Sequence, residues 1–150
     1  MKNTAVRRRM EILLVEDNLE DARSTLETLE HEEINCRVSL VRDGEEAMQF
    51  LNHEGVFAQA PRPDLILLDM ELPKKDGRQV LAEIRGHCEP ELAAVPVIVL
   101  TGSLVHRAVL AAQDLHVEGY MTKPVSPSQF ATVVRSLRQT WLYESLLREQ

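Results

Sequence analysis

The stretch Asp64-Leu65-Ile66-Leu67-Leu68-Asp69-Met70-Glu71-Leu72-Pro73-Lys74-Lys75-Asp76-Gly77 decides the fold. Leu65 to Leu68 cannot alternate between core and solvent, so they read as a strand buried on both faces, as in a parallel sheet covered by helices. The apolar run stops at a carboxylate and a Pro-Lys-Lys-Asp-Gly turn follows, which puts Asp69 at a strand's carboxyl end. In open parallel sheets that edge carries the crevices where ligands bind. A single acid there also reads as an ordinary cap of the following turn, so its company decides.

Two further runs have the same character. Ile12-Leu13-Leu14-Val15 ends at Glu16-Asp17, and Pro96-Val97-Ile98-Val99-Leu100 ends at Thr101-Gly102. Two others are mixed: Cys36, Val38 and Leu40 alternate with polar residues, and Val117 to Met121 is short and ends before Lys123-Pro124. Alternation marks strands half exposed at a sheet edge.

Helical patterns separate the strands. Asn18 is placed to cap a first helix with an inward stripe of Leu19, Ala22, Leu26 and Leu29. Asp43-Gly44 turns into a second helix with Ala47, Phe50 and Leu51 on its apolar side. Gly77 opens a third through Val80, Leu81 and Ile84, and Leu104, Ala108, Ala111 and Leu115 outline a fourth. The stretch from Asn52 to Pro63 holds Gly55, Pro61 and Pro63 and reads as a loop or frayed helix end.

Alternating strands and helices imply a parallel sheet with right-handed crossovers. The three all-apolar strands belong inside and the two mixed ones at the edges. The expected architecture is a doubly wound α/β fold, a five-stranded parallel sheet in the flavodoxin-like order 2-1-3-4-5 with helices on both faces.

A chain of 150 residues is one domain by length. The expected division is a loosely attached leader over residues 1–9, containing Arg7-Arg8-Arg9, a globular domain over 10–140, and an extension of the last helix over 141–150. The net charge of −7 argues against a general nucleic-acid binder. Cys36 and Cys88 have no CxxC spacing, and no run is long enough for a membrane span or a secretory core. The expected location is therefore the cytoplasm.

The last helix, from Pro127, carries Phe130, Val133, Val134, Leu137 and Trp141 on one face. Continued to Leu147 it spans 21 residues, about 31 Å, against about 17 Å for a five-residue strand. Trp141, Leu142, Tyr143, Leu146 and Leu147 then overhang the sheet, and apolar overhang of this kind finds a partner. A homodimer is expected here, with a tail folded back on its own domain as the alternative.

In this topology Glu16, Asp17, Asp69, Thr101 and Lys123 reach one edge from four strands. Carboxylates brought together repel each other unless a cation or proton sits among them. An oxygen-rich set without histidine suits Mg²⁺, a hard cation. A carboxylate can also attack phosphorus and hold it covalently. Phosphoryl transfer needs an in-line nucleophile with positive charge and donors on the equatorial oxygens, which Lys123, a metal and Thr101 can supply.

Ile12-Leu13-Leu14-Val15-Glu16-Asp17-Asn18, the Asp64 to Pro73 segment with Asp76-Gly77, Val97-Ile98-Val99-Leu100-Thr101 and Tyr120-Met121-Thr122-Lys123-Pro124 together resemble the receiver domain of two-component response regulators, the CheY-like family. The resemblance covers residues 10 to 140. The Ala60-Pro61-Arg62-Pro63-Asp64 entry, the Leu72 to Arg78 turn and the Trp141-Leu142 ending resemble more narrowly the stand-alone regulators of cyanobacterial and bacterial phytochromes.

The resemblance implies that Asp69 accepts phosphate from the phosphohistidine of a histidine kinase, of phytochrome type by the narrower likeness. It implies Asp17 as a direct Mg²⁺ ligand, Glu16 as a ligand mostly through water, Asp69 itself, and the Glu71 backbone carbonyl as a further ligand, with Mn²⁺ or Ca²⁺ able to substitute. Thr101 would move toward the phosphoryl group, Lys123 would contact it, and Tyr120 would swing inward with Thr101. The Lys123-Pro124 bond is often cis in this family. Glu71 and Ser103 flank the path of the hydrolytic water and leave the lifetime of the phosphate open, while Gly102 is small enough to leave access. With nearly every residue used by the receiver, no output domain is expected, neither DNA-binding nor enzymatic in the usual sense. The output is a changed surface on the fourth helix, fifth strand and fifth helix around Tyr120, which with the C-terminal extension is also the expected dimer contact.

His31, His53, His87, His106 and His116 show no ligand spacing and read as surface or packing residues; Lys74-Lys75 reads as a solvated turn. Rival functions are weaker. A haloacid-dehalogenase-type phosphohydrolase would use Glu71 two residues after the nucleophile, but leaves the acidic pair after the first strand unexplained. A receiver degenerate in its site conflicts with the full set of site residues. A flavodoxin would need a Ser/Thr/Gly-rich phosphate loop after the first strand.

Overall fold

The computed structural model describes residues 9–31, 36–72, 74–102, 115–133 and 135–136. Its strands are β1 (Met10–Val15), β2 (Cys36–Val41), β3 (Leu65–Asp69), β4 (Val97–Thr101) and β5 (Gly119–Thr122). They form one all-parallel sheet in the order β2-β1-β3-β4-β5, so the expected architecture holds. Its helices are α1 (Leu19–His31), α2 (Gly44–Leu51), α3 (Gly77–Arg85) and the single turn α4 (Pro90–Ala93). A last helix, α5, has 127–133 and 135–136 as its described residues.

The sheet is buried on both sides because each inner strand feeds two cores. Leu13, Val15, Ile66, Leu68, Val97 and Val99 pack with Ala47, Phe50 and Leu51 of α2 and Val80, Leu81 and Ile84 of α3. Their neighbours Ile12, Leu14, Leu65, Leu67, Ile98 and Leu100 pack with Ala22 and Leu29 of α1 and Phe130 of α5. β3 and β4 are buried at every position, whereas β2 and β5 are only partly so. This burial contrast is the one that the apolar runs and the alternation imply.

Helix starts follow the local chemistry. Asn18 Oδ1 accepts from Asp21 N–H at 2.9 Å and starts α1. Asp43 caps α2, and Asp76 with Gln79 forms a reciprocal capping box on α3. Glycine follows each aspartate for want of space. A Cβ on Gly44 would lie 2.0 Å from the Lys75 carbonyl oxygen, and one on Gly77 would lie 2.5 Å from that of Asp69. The start of α3 is thus pressed against the end of β3.

Several expectations shift. Leu19 is 57% exposed and not part of the inward stripe; as the first residue of α1 it stands at the rim, above the sheet edge. β5 runs from Gly119 to Thr122, not from Val117, because Glu118 turns its side chain back to accept from Val97 N–H. The loop after α2 contains a 3₁₀ turn, Gly55–Phe57, whose Val56 is exposed. Lys74-Lys75 is less free than a solvated turn: Lys74 pairs with Asp43 at 3.5 Å and Lys75 with Glu83. Residues 1–8 of the expected 1–9 leader, the fourth-helix positions Leu104, Ala108 and Ala111, Val134 and Leu137 of the last helix, Ser103, His106, Pro73 and the 141–150 extension lie outside the described residues. Among the described residues, no helix is long and apolar enough to cross a membrane.

Candidate functional site

Parallel strands bring their carboxyl ends to one edge. β1 delivers Glu16 and Asp17, β3 Asp69, β4 Thr101, and β5 leads into Lys123. Glu16 N–H donates to the Val41 carbonyl at 3.0 Å, which holds it in line with the sheet after β1 has ended. Its side chain and that of Asp69 are buried, while Asp17 is exposed. Carboxylate oxygens of Glu16, Asp17 and Asp69 all lie within 4.8 Å of one another.

Lys123 Nζ reaches into this group. It lies 3.1 Å from Glu16 Oε1, 3.2 Å from Asp69 Oδ2 and 3.1 Å from Asp21 Oδ2. The Lys123-Pro124 peptide is cis. On the other side of Asp69, its Oδ1 accepts from Glu71 N–H at 3.1 Å. The structure therefore brings Glu16, Asp17, Asp69 and Lys123 together as the sequence implied.

Thr101 is buried at the end of β4, one register position beyond Asp69, which pairs with Leu100. Tyr120 pairs with Val99 and packs partly buried against the α2 and α3 face of the sheet. Strand alternation puts Thr101 and Tyr120 on that same face. For Glu71, the contact seen is its N–H on Asp69.

Asp21 escaped the sequence reading. The available signal was its place in the first turn of α1, directly after the acidic pair that ends β1.

Three carboxylates thus face the Lys123 ammonium, and a fourth, Asp17, lies beside them. Burial, helped by the neighbouring Asp69, pushes Glu16 up to about 7, and the attraction of Lys123 does not reverse it. Burial would lower Lys123, but Asp69, Asp21 and Glu16 lift it well above its ordinary value, so it is fully charged. The surplus of negative charge is the condition in which a divalent cation is taken up. An all-oxygen donor set with one exposed member fits a hard, partly hydrated ion such as Mg²⁺ or Mn²⁺.

Comparison with known proteins agrees with this chemistry. The family described as "Response regulator receiver domain" matches residues 12–135. The response regulator Rcp1 of Synechocystis sp. is 44% identical over 131 residues, 87% of this chain and 88% of Rcp1. The structure of Rcp1 in its Mn²⁺-bound form superposes with a TM-score of 0.71, covering 89% of this chain and 94% of that one. The phosphorylated cyanobacterial phytochrome response regulator RcpA gives 0.73 at 46% identity, over 90% of this chain and 95% of that one. The bacteriophytochrome response regulator RtBRR gives 0.79 at 38% identity, over 87% and 78%.

Proposed function

The chain belongs to the response regulator receiver family, and from that premise we propose that it is a phosphoacceptor that takes a phosphoryl group on Asp69 from a histidine kinase of phytochrome type. The observation that carries this is the position of Lys123 Nζ, 3.2 Å from Asp69 Oδ2 beside the acidic pair Glu16-Asp17. The similarity to proteins described as bacteriophytochrome and cyanobacterial phytochrome response regulators supports the class of kinase.

Asp69 attacks phosphorus in line with the leaving group. Its oxygen forms the new P–O bond, the P–N bond of the phosphohistidine breaks, and the imidazole keeps the electron pair. A proton carried on the ring's other nitrogen lets the imidazole leave uncharged, so the products are an acyl phosphate and a neutral histidine. Transfer of this kind needs charge and alignment more than acid-base chemistry. Lys123 meets the incoming phosphoryl oxygens as a positive donor, Thr101 contributes its hydroxyl, and Glu71 N–H holds the aspartate's other oxygen. Glu16, Asp17 and Asp69, with the Glu71 carbonyl, would hold Mg²⁺, for which Mn²⁺ or Ca²⁺ can substitute. The metal supplies further positive charge to the transferring group.

The output in this reading is a surface in the cytoplasm. Thr101 and Tyr120 share a face of the sheet, and motion of Thr101 toward the phosphate draws Tyr120 inward. Beside them, Tyr120, Met121, Ser128, Gln129, Thr132 and Val133 line a shallow groove between β5 and α5. A second copy of the chain meets this face together with the 141–150 extension, and sedimentation with and without phosphodonor reads that association.

The test is incubation with Mg²⁺ and acetyl phosphate followed by intact mass. One phosphate is expected on the native chain and none on Asp69→Asn; equal uptake by both would overturn the assignment.

A further inference from the structure

We propose that Asp21 is a positioning residue that keeps the Lys123 ammonium over Asp69 when Glu16 and Asp69 turn to a divalent cation. This rests on the function proposed above.

The ammonium has three N–H donors. They meet Glu16, Asp69 and Asp21 at 3.1, 3.2 and 3.1 Å. Two of these carboxylates also belong to the cluster whose oxygens lie close enough to share an ion, and Asp21 does not. Glu16 and Asp69 are therefore asked to serve two cations, whereas Asp21, among the described residues, pairs with the lysine only.

Without Asp21, Lys123 has two courses open. It stays on Glu16 and Asp69 and competes with the metal for their oxygens, or it swings toward solvent and leaves the phosphoryl group without its donor. A carboxylate outside the metal cluster removes that conflict.

The placement of Asp21 is secured from two directions. Asn18 Oδ1 accepts from its N–H at 2.9 Å and so fixes the first turn of α1. Two turns on, buried Thr28 donates its hydroxyl to the Val125 carbonyl at 3.0 Å. α1 is thereby docked on the chain at both sides of Pro124, through Lys123 and through Val125. The Asp21 side chain is 43% exposed, and an ion pair so open adds little to stability. Its consequence falls on where Lys123 is held.

Calorimetric Mg²⁺ titration of the native chain, Asp21→Ala, Lys123→Met and the double variant tests this. Asp21→Ala is expected to weaken Mg²⁺ binding by about threefold to tenfold when Lys123 is present and by less than about twofold in the Lys123→Met background. At saturating Mg²⁺ the rate of phosphorylation by acetyl phosphate falls about threefold to tenfold in Asp21→Ala, and Asp21→Glu restores part of it. Equal weakening in both backgrounds would show that Asp21 acts only as a charge near the metal and would overturn the proposal, as would no weakening at all. Asp21→Asn, which keeps the shape and drops the charge, gives the same reading if Asp21→Ala is poorly folded. A native chain that binds no Mg²⁺ and takes no phosphate would bring down the functional reading and this one with it; a native chain that does both, with an additive cycle, brings down this one alone.

Discussion

Strands β3, β4 and β5 end in two very different ways, and the contrast separates the proposed phosphoacceptor site from a structural cluster. At their amino ends, Arg85 is a partly buried cation in balance. Its guanidinium donates to the carbonyls of Ala93 at 3.0 Å, Val95 at 2.7 Å and His116 at 2.8 Å, and approaches Glu118 at 3.4 Å. Glu118 in turn accepts from Val97 N–H at 2.9 Å. Charge and hydrogen bonds are matched, and the result ties α3 to the entries of β4 and β5. At the carboxyl ends, Lys123 pairs with Glu16, Asp21 and Asp69, with Asp17 beside them, and it is the one cation paired with this group among the described residues. Carboxylates left in excess at a buried edge are an unfavourable arrangement for folding, and they make sense as a place kept ready for a cation and a phosphoryl group.

The comparison breaks most visibly on mutation of its two cations. Lys123→Met is expected to slow phosphorylation by acetyl phosphate about a hundredfold or more at saturating Mg²⁺, as loss of one preorganised donor does, with the fold retained. Arg85→Ala is expected to leave the extent of phosphorylation unchanged while lowering stability by about 1–3 kcal/mol, since it strands the partly buried carbonyls of Ala93 and Val95. Intact-mass time courses and urea denaturation separate the two. A structural Lys123 or a functional Arg85 would reverse the pattern.

Close packing behind Asp69 gives the next effect. A Cβ at position 77 meets the Asp69 carbonyl oxygen at 2.5 Å and Met70 Cα at 2.7 Å, both backbone atoms that cannot step aside. Gly77→Ala is expected to destabilise by about 1–3 kcal/mol and to slow phosphorylation by displacing Asp69. Gly102, where a Cβ meets nothing within 4 Å among the described residues, is the control: Gly102→Ala should leave stability nearly unchanged.

The imbalance also has a pH signature. Glu16 stands at about 7 in the folded protein against 4.5 as a free side chain. Between those values the folded chain holds a proton that the unfolded chain has lost, so raising the pH through this window lowers stability. Urea midpoints of the metal-free protein should fall from pH 5 to pH 8, by on the order of 2 kcal/mol more in the native chain than in Glu16→Gln. Mg²⁺ should flatten the slope, because an ion at the cluster favours the ionised acid. An equal slope in Glu16→Gln would contradict the assignment. The smallest effect is Asn18→Ala, expected to remove about 1 kcal/mol of capping from α1, as read by thermal denaturation.

Much of this was legible before any coordinates. Three apolar runs and two mixed ones were enough for the strand order, because doubly buried and half-buried strands differ in composition. The site residues Glu16, Asp17, Asp69 and Lys123 followed because parallel strands must deliver their ends to one edge. Other features were hidden in longer-range relations. Leu19 has the right spacing for a buried stripe, but its position at the first turn leaves it above the sheet. The β5 boundary depends on Glu118 reaching back to Val97, and α4 depends on Pro90 opening a single turn that periodicity cannot register. Asp21 needed the knowledge that Lys123 would arrive over α1 from more than a hundred positions away.

The central claim is that the phosphoryl group sits on Asp69. Borohydride reduction of the chain after treatment with Mg²⁺ and acetyl phosphate converts an aspartyl phosphate to homoserine, which peptide mass mapping locates. Conversion at position 69 and at no other acid is the expected result. Conversion at Asp17 or Asp21, or none despite a gain of phosphate in the intact mass, would contradict the account.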